Sequence, residues 1–409
     1  MTDGEFEIDQ TTASASIDCA DAEVVSGALT PAQLGAKSPL RKLVVKIGSS
    51  TLTRADGSAD EDYLRNLASQ VSRVREAGWG VVIVSSGAIA IGLNKLGISE
   101  RPTDMPSLQA AASVGQGELA AAYASAFGEF GIVTSLVLLT RRDTADRGAY
   151  LHARDTLDRL LELGIVPVVN ENDTVSVEQI RFGDNDTLSA LVSCLIKADL
   201  DIILSDIDGF YDANPSCNPE AKLVSRIDRI DKDVIAAAGS AGSSVGSGGM
   251  VTKIRAARAL AVAGIPLVIC SGERPDGIVD AAAGKDVGTI FPAGHKPHEI
   301  NPRKLWIALG DSSRGRLAVD TGAKNALVNR GSSLLSVGVA QVSGSFDAGD
   351  VVDIVDGDGY LFARGLVSVE SDRVELAVGK THEELSRNRI LAELADKPLV
   401  HRDDMVVFE

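Results

Sequence analysis

Six near-continuous apolar runs, separated by helix-length amphipathic stretches, constrain this 409-residue chain more than any other feature. The runs are LVVKI (43–47), VVIVS (81–85), VTSLVLL (133–139), IVPVV (165–169), IILS (202–205) and PLVIC (266–270). A strand that is apolar throughout has to bury both faces. Between the runs, stretches 61–77, 107–127, 148–163, 185–197 and 250–263 carry apolar residues at helical spacing. This alternation predicts an α/β fold, an open and mainly parallel sheet sandwiched by helices. The pattern holds from 41 to about 291 and is broken by AGHKPHEINPRK (293–304), which carries two prolines and two histidines. Short runs with glycine turns follow (LWIAL, SLLSVGVAQV, DVVDIVDGDGYLFARGLVSV, MVVF) and predict a small C-terminal β-rich domain. The expected division is an acidic, disordered tail over 1–38, an α/β domain over 39–292, a linker over 293–302 and the β-rich domain over 303–409.

Composition excludes several classes of function. The formal net charge of −17 argues against a general binder of nucleic acid or anionic membrane. Part of that charge is local, since residues 1–38 hold seven Asp/Glu against Lys37. No apolar run approaches a membrane span, and the acidic N-terminus does not read as a signal or transit peptide. Cys19, Cys194, Cys217 and Cys270 are scattered, without a C-x-x-C, which fits a reducing, cytoplasmic setting. Cys194 and Cys270 read as core residues, and no cage of His or Cys suggests a structural metal.

In an open parallel sheet, ligands bind beyond the carboxyl ends of the strands. Small residues and Asx side chains crowd those positions here. Lys46 ends the first strand and Gly48-Ser49-Ser50 follow; Ser86-Gly87 follow the second. Asn170-Glu171-Asn172-Asp173-Thr174 follow the fourth, then an expected hairpin near 175–182, then Gly183-Asp184-Asn185-Asp186. Asp206 follows the fifth. The Gly/Ser-rich stretch GSSVGSGGMVTK (242–253) runs straight into a helical pattern. Glycine admits close backbone approach, and the amides of a helix start attract anions, so this is phosphate chemistry.

The common phosphate motifs are nonetheless absent. There is no Walker A string, and the nearest match, Gly379-Lys380-Thr381, has Val374 where the first glycine belongs. Gly242-Ser243-Ser244-Val245-Gly246 imitates the hydrolase G-x-S-x-G, but a helix-like run precedes it where that motif needs a strand. Each rim residue also has a plainer reading. Lys46 could be an edge residue that snorkels, Asp184 or Asp186 a helix cap, the Asn170–Asp173 group an ordinary turn, and the Gly/Ser stretch a linker. A lysine inside a buried strand is costly unless it is used, and two acids flanking an asparagine exceed what a cap requires.

Taken together, VVKIGSS, VIVSSGAIAIG, PVVNENDTV, FGDNDTLSA, SDIDGFYDANP and GSGGMVTK resemble the glutamate 5-kinases of the amino-acid-kinase superfamily. The resemblance runs from about Lys42 to the C-terminus, and the β-rich segment resembles a PUA domain. It implies transfer of the ATP γ-phosphoryl group to the side-chain carboxylate of L-glutamate, the first step of proline synthesis, with Mg²⁺ held mainly through the ATP phosphates. By resemblance, Lys46 and Lys253 hold the transferring group and Asp186 orients both lysines. Ser86, Asp173 and Asn185 match the glutamate-binding positions, with Gly87, Asn170 and Asp184 beside them. Ser205, Asp206 and the run Ser247, Gly248, Gly249, Met250, Val251, Thr252 and Lys253 match the ATP-binding segments, and Lys46 faces the same nucleotide. The family also implies a homo-oligomer, feedback inhibition by proline and coupling to a glutamyl-phosphate reductase. Ser85, Ser205 and Ser247 stand where threonine is frequent, and each keeps a hydroxyl. Aspartate, acetylglutamate or a nucleoside monophosphate would be the acceptor in related kinases; the GDND and NEND segments favour glutamate. PUA domains often bind RNA, yet residues 301–409 hold 13 Lys/Arg against 17 Asp/Glu, which argues against it here.

Overall fold

The computed structural model describes residues 40–140, 143, 146–175, 185–215, 217–240, 249–294, 302–309, 313–389, 391–395 and 397–408. The acidic tail, the hairpin expected near 175–182, the Gly/Ser stretch up to Gly248 and most of the 293–302 linker lie outside the described residues. Seven strands form the larger sheet: β1 (Arg41–Ile47), β2 (Trp79–Val84), β3 (Thr134–Leu139), β4 (Val166–Glu171), β5 (Leu200–Ser205), β6 (Leu267–Ser271) and β7 (Gly288–Phe291). Their order is β3-β4-β2-β1-β5-β6-β7. The first six pair in parallel, and β7 closes the edge antiparallel to β6. β7 is only four residues long, too short for its pattern to stand out in the sequence.

The helices of this half are α1 (Ser49–Leu52), α2 (Glu61–Glu76), α3 (Ala88–Lys95), α4 (Met105–Gly128), α5 (Arg147–Glu162), α6 (Asn185–Ile196), α7 (Lys232–Ser240), α8 (Met250–Ala263) and α9 (Gly277–Ala282). Aspartates set three of their starts. The carboxylate of Asp60 accepts from the amides of Asp62 and Tyr63, Asp104 from Ser107 and Asp146 from Ala149, which satisfies first-turn donors that otherwise lack partners. Two cores result, one on each sheet face. Leu43, Val45, Ile47, Ile83 and Leu204 point toward α2, α4 and α9. Val44, Val82, Val84, Ile203 and Ile269 point toward α5, α6 and α8. Alternation along β1 thus sends Lys46 to the second face, with α6 and α8.

Helices α3 and α4 cross at van der Waals contact of their backbones. A Cβ on Gly92 would lie 1.8 Å from the carbonyl oxygen of Ala111, and one on Gly115 would lie 1.7 Å from that of Ala88. This crossing seats the start of α3, where Gly87 takes a left-handed conformation (φ 91°) that glycine adopts at little cost.

A second sheet occupies the C-terminal half: β8 (Gly315–Val319), β9 (Val339–Gly344), β10 (Val351–Val355), β11 (Leu361–Val367) and β12 (Val400–Val407), in the order β12-β11-β10-β8-β9. Leu317, Val352, Ile354, Phe362 and Val400 fill its core. Helices α11 (Thr321–Arg330), α12 (Ser371–Ala377) and α13 (His382–Arg387) accompany it. The Gly379-Lys380-Thr381 string ends in a helix cap: Thr381 and Glu384 form a capping box at the start of α13. Between the halves, α10 (Pro302–Leu309) inserts Ile307, Ala308 and Leu309 into the core under α6 and α8. Arg258 of α8 donates to the carbonyl oxygen of Leu361 (2.7 Å) and lies 4.2 Å from the Phe408 ring centroid. Among the described residues, no helix is long and apolar enough to cross a membrane.

Candidate active site

The carboxyl ends of β1, β2, β4 and β5 lie side by side, and their loops bring most of the expected rim residues together. Lys46 sits on the central strand, paired in register with Val84 of β2 and Ile203 of β5. Only 6% of it is exposed, so it is not an edge residue that snorkels. Its Nζ lies 2.7 Å from Oδ1 of Asp186, in the first turn of α6. Lys253, in the first turn of α8, reaches Oδ2 of the same carboxylate at 3.3 Å. The Thr252 hydroxyl, with one proton to give, lies 2.7 Å from Oδ2 and 2.7 Å from the Gly249 carbonyl oxygen. Asp186 is fully buried. Burial pushes its carboxyl up, and the charges of Lys46 and Lys253, with hydrogen bonds from Lys46 and Thr252, pull it further down, below the ordinary carboxylate range. One ionised acid therefore holds two ammonium groups that would otherwise repel each other.

The neighbouring residue organises the other half of the rim. Asn185 Nδ2, with two protons to donate, lies within reach of three acceptors: the Ser85 carbonyl oxygen, Ser86 Oγ (2.9 Å) and Asn170 Oδ1 (3.1 Å). Asn170 in turn donates to Gln116 Oε1 (3.3 Å), and Gln116 Nε2 donates to the Glu171 carbonyl oxygen (3.1 Å). Beneath this network the Ser85 and Tyr123 hydroxyls meet at 2.9 Å. Asp173 follows the end of β4. Burial pushes its carboxyl up to about 6, against the opposing charge of Arg101.

On the remaining side, Ser205 Oγ donates to Asp206 Oδ1 (2.9 Å), and Asp206 is exposed. Gly249 precedes α8 in an extended conformation with no side-chain cap, so first-turn amides of that helix face the rim uncapped by a side chain. Met250 is half-buried and Val251 exposed. Asp184, Ser247 and Gly248 lie outside the described residues. Gln116, Tyr123 and Arg101 were not expected from the sequence. They come from helix and loop positions far along the chain, and no local motif flags them. Thr252 is expected on the nucleotide; its hydroxyl here lies within hydrogen-bond reach of both Asp186 and the Gly249 carbonyl oxygen.

A parallel sheet with two buried ammonium groups on one acid at its carboxyl edge, beside a glycine-led helix start, defines the class of amino-acid-kinase-like phosphotransferases. The model of the Amino acid kinase family matches residues 41–271, and that of the PUA domain matches residues 315–388. A glutamate 5-kinase from Geobacter sulfurreducens is 44% identical over 91% of this chain and 99% of its own. One from Bordetella parapertussis is 46% identical over 90% of this chain and 97% of its own. A solved carbamate kinase from Giardia lamblia, bound to AMP-PNP, is 18% identical with a TM-score of 0.46 and covers 62% of this chain and 98% of its own. The chain belongs to the amino acid kinase family and, within it, to the glutamate 5-kinases.

Proposed function

We infer that this chain transfers the γ-phosphoryl group of ATP to the side-chain carboxylate of L-glutamate, giving L-glutamyl 5-phosphate, the first intermediate of proline synthesis. The observation that carries the reading is the pair of buried lysines held on Asp186, with Asn185 of the same turn bonded to Ser86 and Asn170. One helix start thus joins the phosphoryl site to an acceptor site. The acceptor carboxylate is already a nucleophile. Its oxygen forms a bond to γ-phosphorus as the bond to the β,γ-bridging oxygen breaks, ADP leaves with the electron pair, and no proton moves.

The obstacle is repulsion between the carboxylate and the triphosphate. Lys46 and Lys253 offset it, and a preorganised group of this kind is worth about 3–4 kcal/mol of barrier. Ser205, Asp206, Gly249 and the α8 amides would hold the nucleotide, with Ser247 and Gly248 of the same stretch. Ser86 and Gly87 offer donors to the α-carboxylate of glutamate, and Asp173 with Asn170 and Asn185 suits its ammonium group; Asp184 stays a further candidate.

Mg²⁺ fits this rim as part of the nucleotide. Among the described residues no three His, Cys, Asp or Glu gather to hold a metal, and this hard cation takes phosphate oxygens with few protein ligands. When bound, it would spread charge over the β- and γ-phosphates. A homo-oligomer, inhibition by proline and hand-over of the acyl phosphate to a reductase belong to the same reading. They rest on the family alone, as does a cytoplasmic location.

The test is ADP release measured by a coupled assay with glutamate, aspartate, N-acetylglutamate and UMP as acceptors, with hydroxylamine trapping of the acyl phosphate. Release with glutamate, together with a glutamyl hydroxamate, is expected. Release with another acceptor in its place would overturn the reading.

A further inference from the structure

Asp201 is a fully buried carboxylate on β5 that the mechanism above does not use. Its side chain points to the α6 face. In register it lies beside Val44, while Lys46 lies beside Ile203, two residues nearer the rim. Two serines of α6 meet it. Ser189 Oγ lies 3.0 and 2.9 Å from its two oxygens, and Ser193 Oγ donates to Oδ2 at 2.7 Å. Both serines are fully buried. Asp186, Ser189 and Ser193 are spaced three and four residues apart, so they share one face of the helix. The helix whose first turn carries Asn185 and Asp186 is therefore bonded, one and two turns further on, to a single acid of the central sheet.

Burying a carboxylate is costly, and an apolar residue of similar size would pack there without that cost. What an apolar residue would not supply is direction. A helix side chain ends about 5–6 Å from the axis, so a 20° rotation of α6 would carry it about 2 Å. That is enough to break the 2.7 and 3.3 Å contacts of Asp186 with the lysines. We propose that Asp201 is a positioning residue: through Ser189 and Ser193 it sets the rotation and depth of α6, and so aims Asp186 at the lysines and Asn185 at the acceptor. The proposal rests on the phosphotransfer reading above.

The experiment compares Asp201→Leu, Asp201→Asn, Ser189→Ala and Ser193→Ala in steady-state ADP release, with ATP and glutamate varied separately. Asp201→Leu removes the acceptor. It should lower kcat by about tenfold or more and raise KM for glutamate severalfold, with KM for ATP within about twofold. Asp201→Asn keeps a carbonyl oxygen with two lone pairs and should recover kcat to within about threefold of the parent. The single serine variants should fall between, and they carry the test if Asp201→Leu does not fold. A lower melting temperature with kcat and KM for glutamate unchanged would make Asp201 a merely structural residue and overturn the proposal. An Asp201→Asn variant as impaired as Asp201→Leu would overturn it too, because charge and not direction would then matter. The parent run in the same assay decides the substrate reading separately; if it used another acceptor, the same comparison with that acceptor would still decide Asp201.

Discussion

Asp186→Asn keeps the shape of the buried acid and removes its charge. The parent carboxylate lies 2.7 Å from Lys46 Nζ, 3.3 Å from Lys253 Nζ and 2.7 Å from Thr252 Oγ1. Removing one partner of a buried ion pair costs about 3–5 kcal/mol, because the other charge stays buried without compensation. Here one substitution strips two ammonium groups, although the asparagine oxygen still accepts one hydrogen bond. The expected loss of unfolding free energy is about 3 kcal/mol, a large share of the roughly 5–15 kcal/mol of a typical domain. The sign with pH follows from the depressed carboxyl. Its contribution is complete above the unfolded-state value near 4 and is lost as pH falls through the folded one, so parent and variant should converge in acid.

The catalytic loss should be larger in kcat than in binding. Misaligned lysines no longer stabilise the transferring group, so kcat should fall at least about a hundredfold. KM for ATP should hold or decrease, since the triphosphate then meets two ammonium groups that no carboxylate shares. Urea unfolding with and without ATP, and ADP release with each substrate varied, read both effects. A kcat within about threefold of the parent, or a normal kcat with a raised KM for ATP, would refute the orienting role.

Lys46→Ala and Lys253→Ala should each lower kcat at least about a hundredfold with the fold retained by circular dichroism; activity near the parent level would remove that lysine from the mechanism. Burial holds the Asp173 carboxyl up at about 6, so kcat/KM for glutamate should fall as pH drops below that value, and Asp173→Asn should flatten the profile while raising KM for glutamate more than KM for ATP. The Asp201 carboxyl is pushed up to about 7 by burial, its serine bonds and Lys46 pulling down and Asp186 pushing up. The folded state then keeps a proton that the unfolded chain releases near pH 4, so stability should fall as pH rises from about 4 to about 7, a slope that urea titrations of Asp201→Asn should lack. A chain ending at Gly294 should still phosphorylate glutamate but melt lower than one ending at Ser313, which keeps the buried Ile307, Ala308 and Leu309; an inactive product in both cases would mean that the second sheet completes the site.

Most strands of the larger sheet were legible because a parallel strand buried on both faces is mostly apolar. β2, β4 and β5 are buried at every residue, with Asp201 in β5 and Asn170 and Glu171 in β4 as the polar exceptions. LWIAL, which reads as a strand-like run, lies instead in helix α10. The rim was legible for a related reason: glycine and Asx residues collect where strands end, and few other residues fit such turns. What stayed hidden is direction. Asn170, Asn172 and Asp173 look alike in one turn, yet Asn170 alone joins the Asn185 network. The Gly379-Lys380-Thr381 string looks like a phosphate loop and is a helix cap. Asp201 carries no local mark at all, because its serine partners lie 8 and 12 residues away, and the motif that contains Thr252 does not reveal its contact with Asp186, 66 residues away.

The same holds across the two sheets. Arg258 reads in the sequence as one more polar residue on a helix, five positions beyond Lys253. In the structure its guanidinium lies 4.2 Å from the Phe408 ring centroid and 5.8 Å from that of Tyr360, and it donates to the Leu361 carbonyl oxygen. Lys232 pairs with Asp358, and the Tyr360 hydroxyl donates to the Ile230 carbonyl oxygen at 3.0 Å. A helix that presents Lys253 at one end is thus gripped by the second sheet partway along its length. The apolar pattern divides the chain into two units, each with its own sheet. The side chains show that the boundary is sharp for the sheets and soft for the core, since Val351 and Val406 of the second sheet pack into the same cluster as α6 and α8.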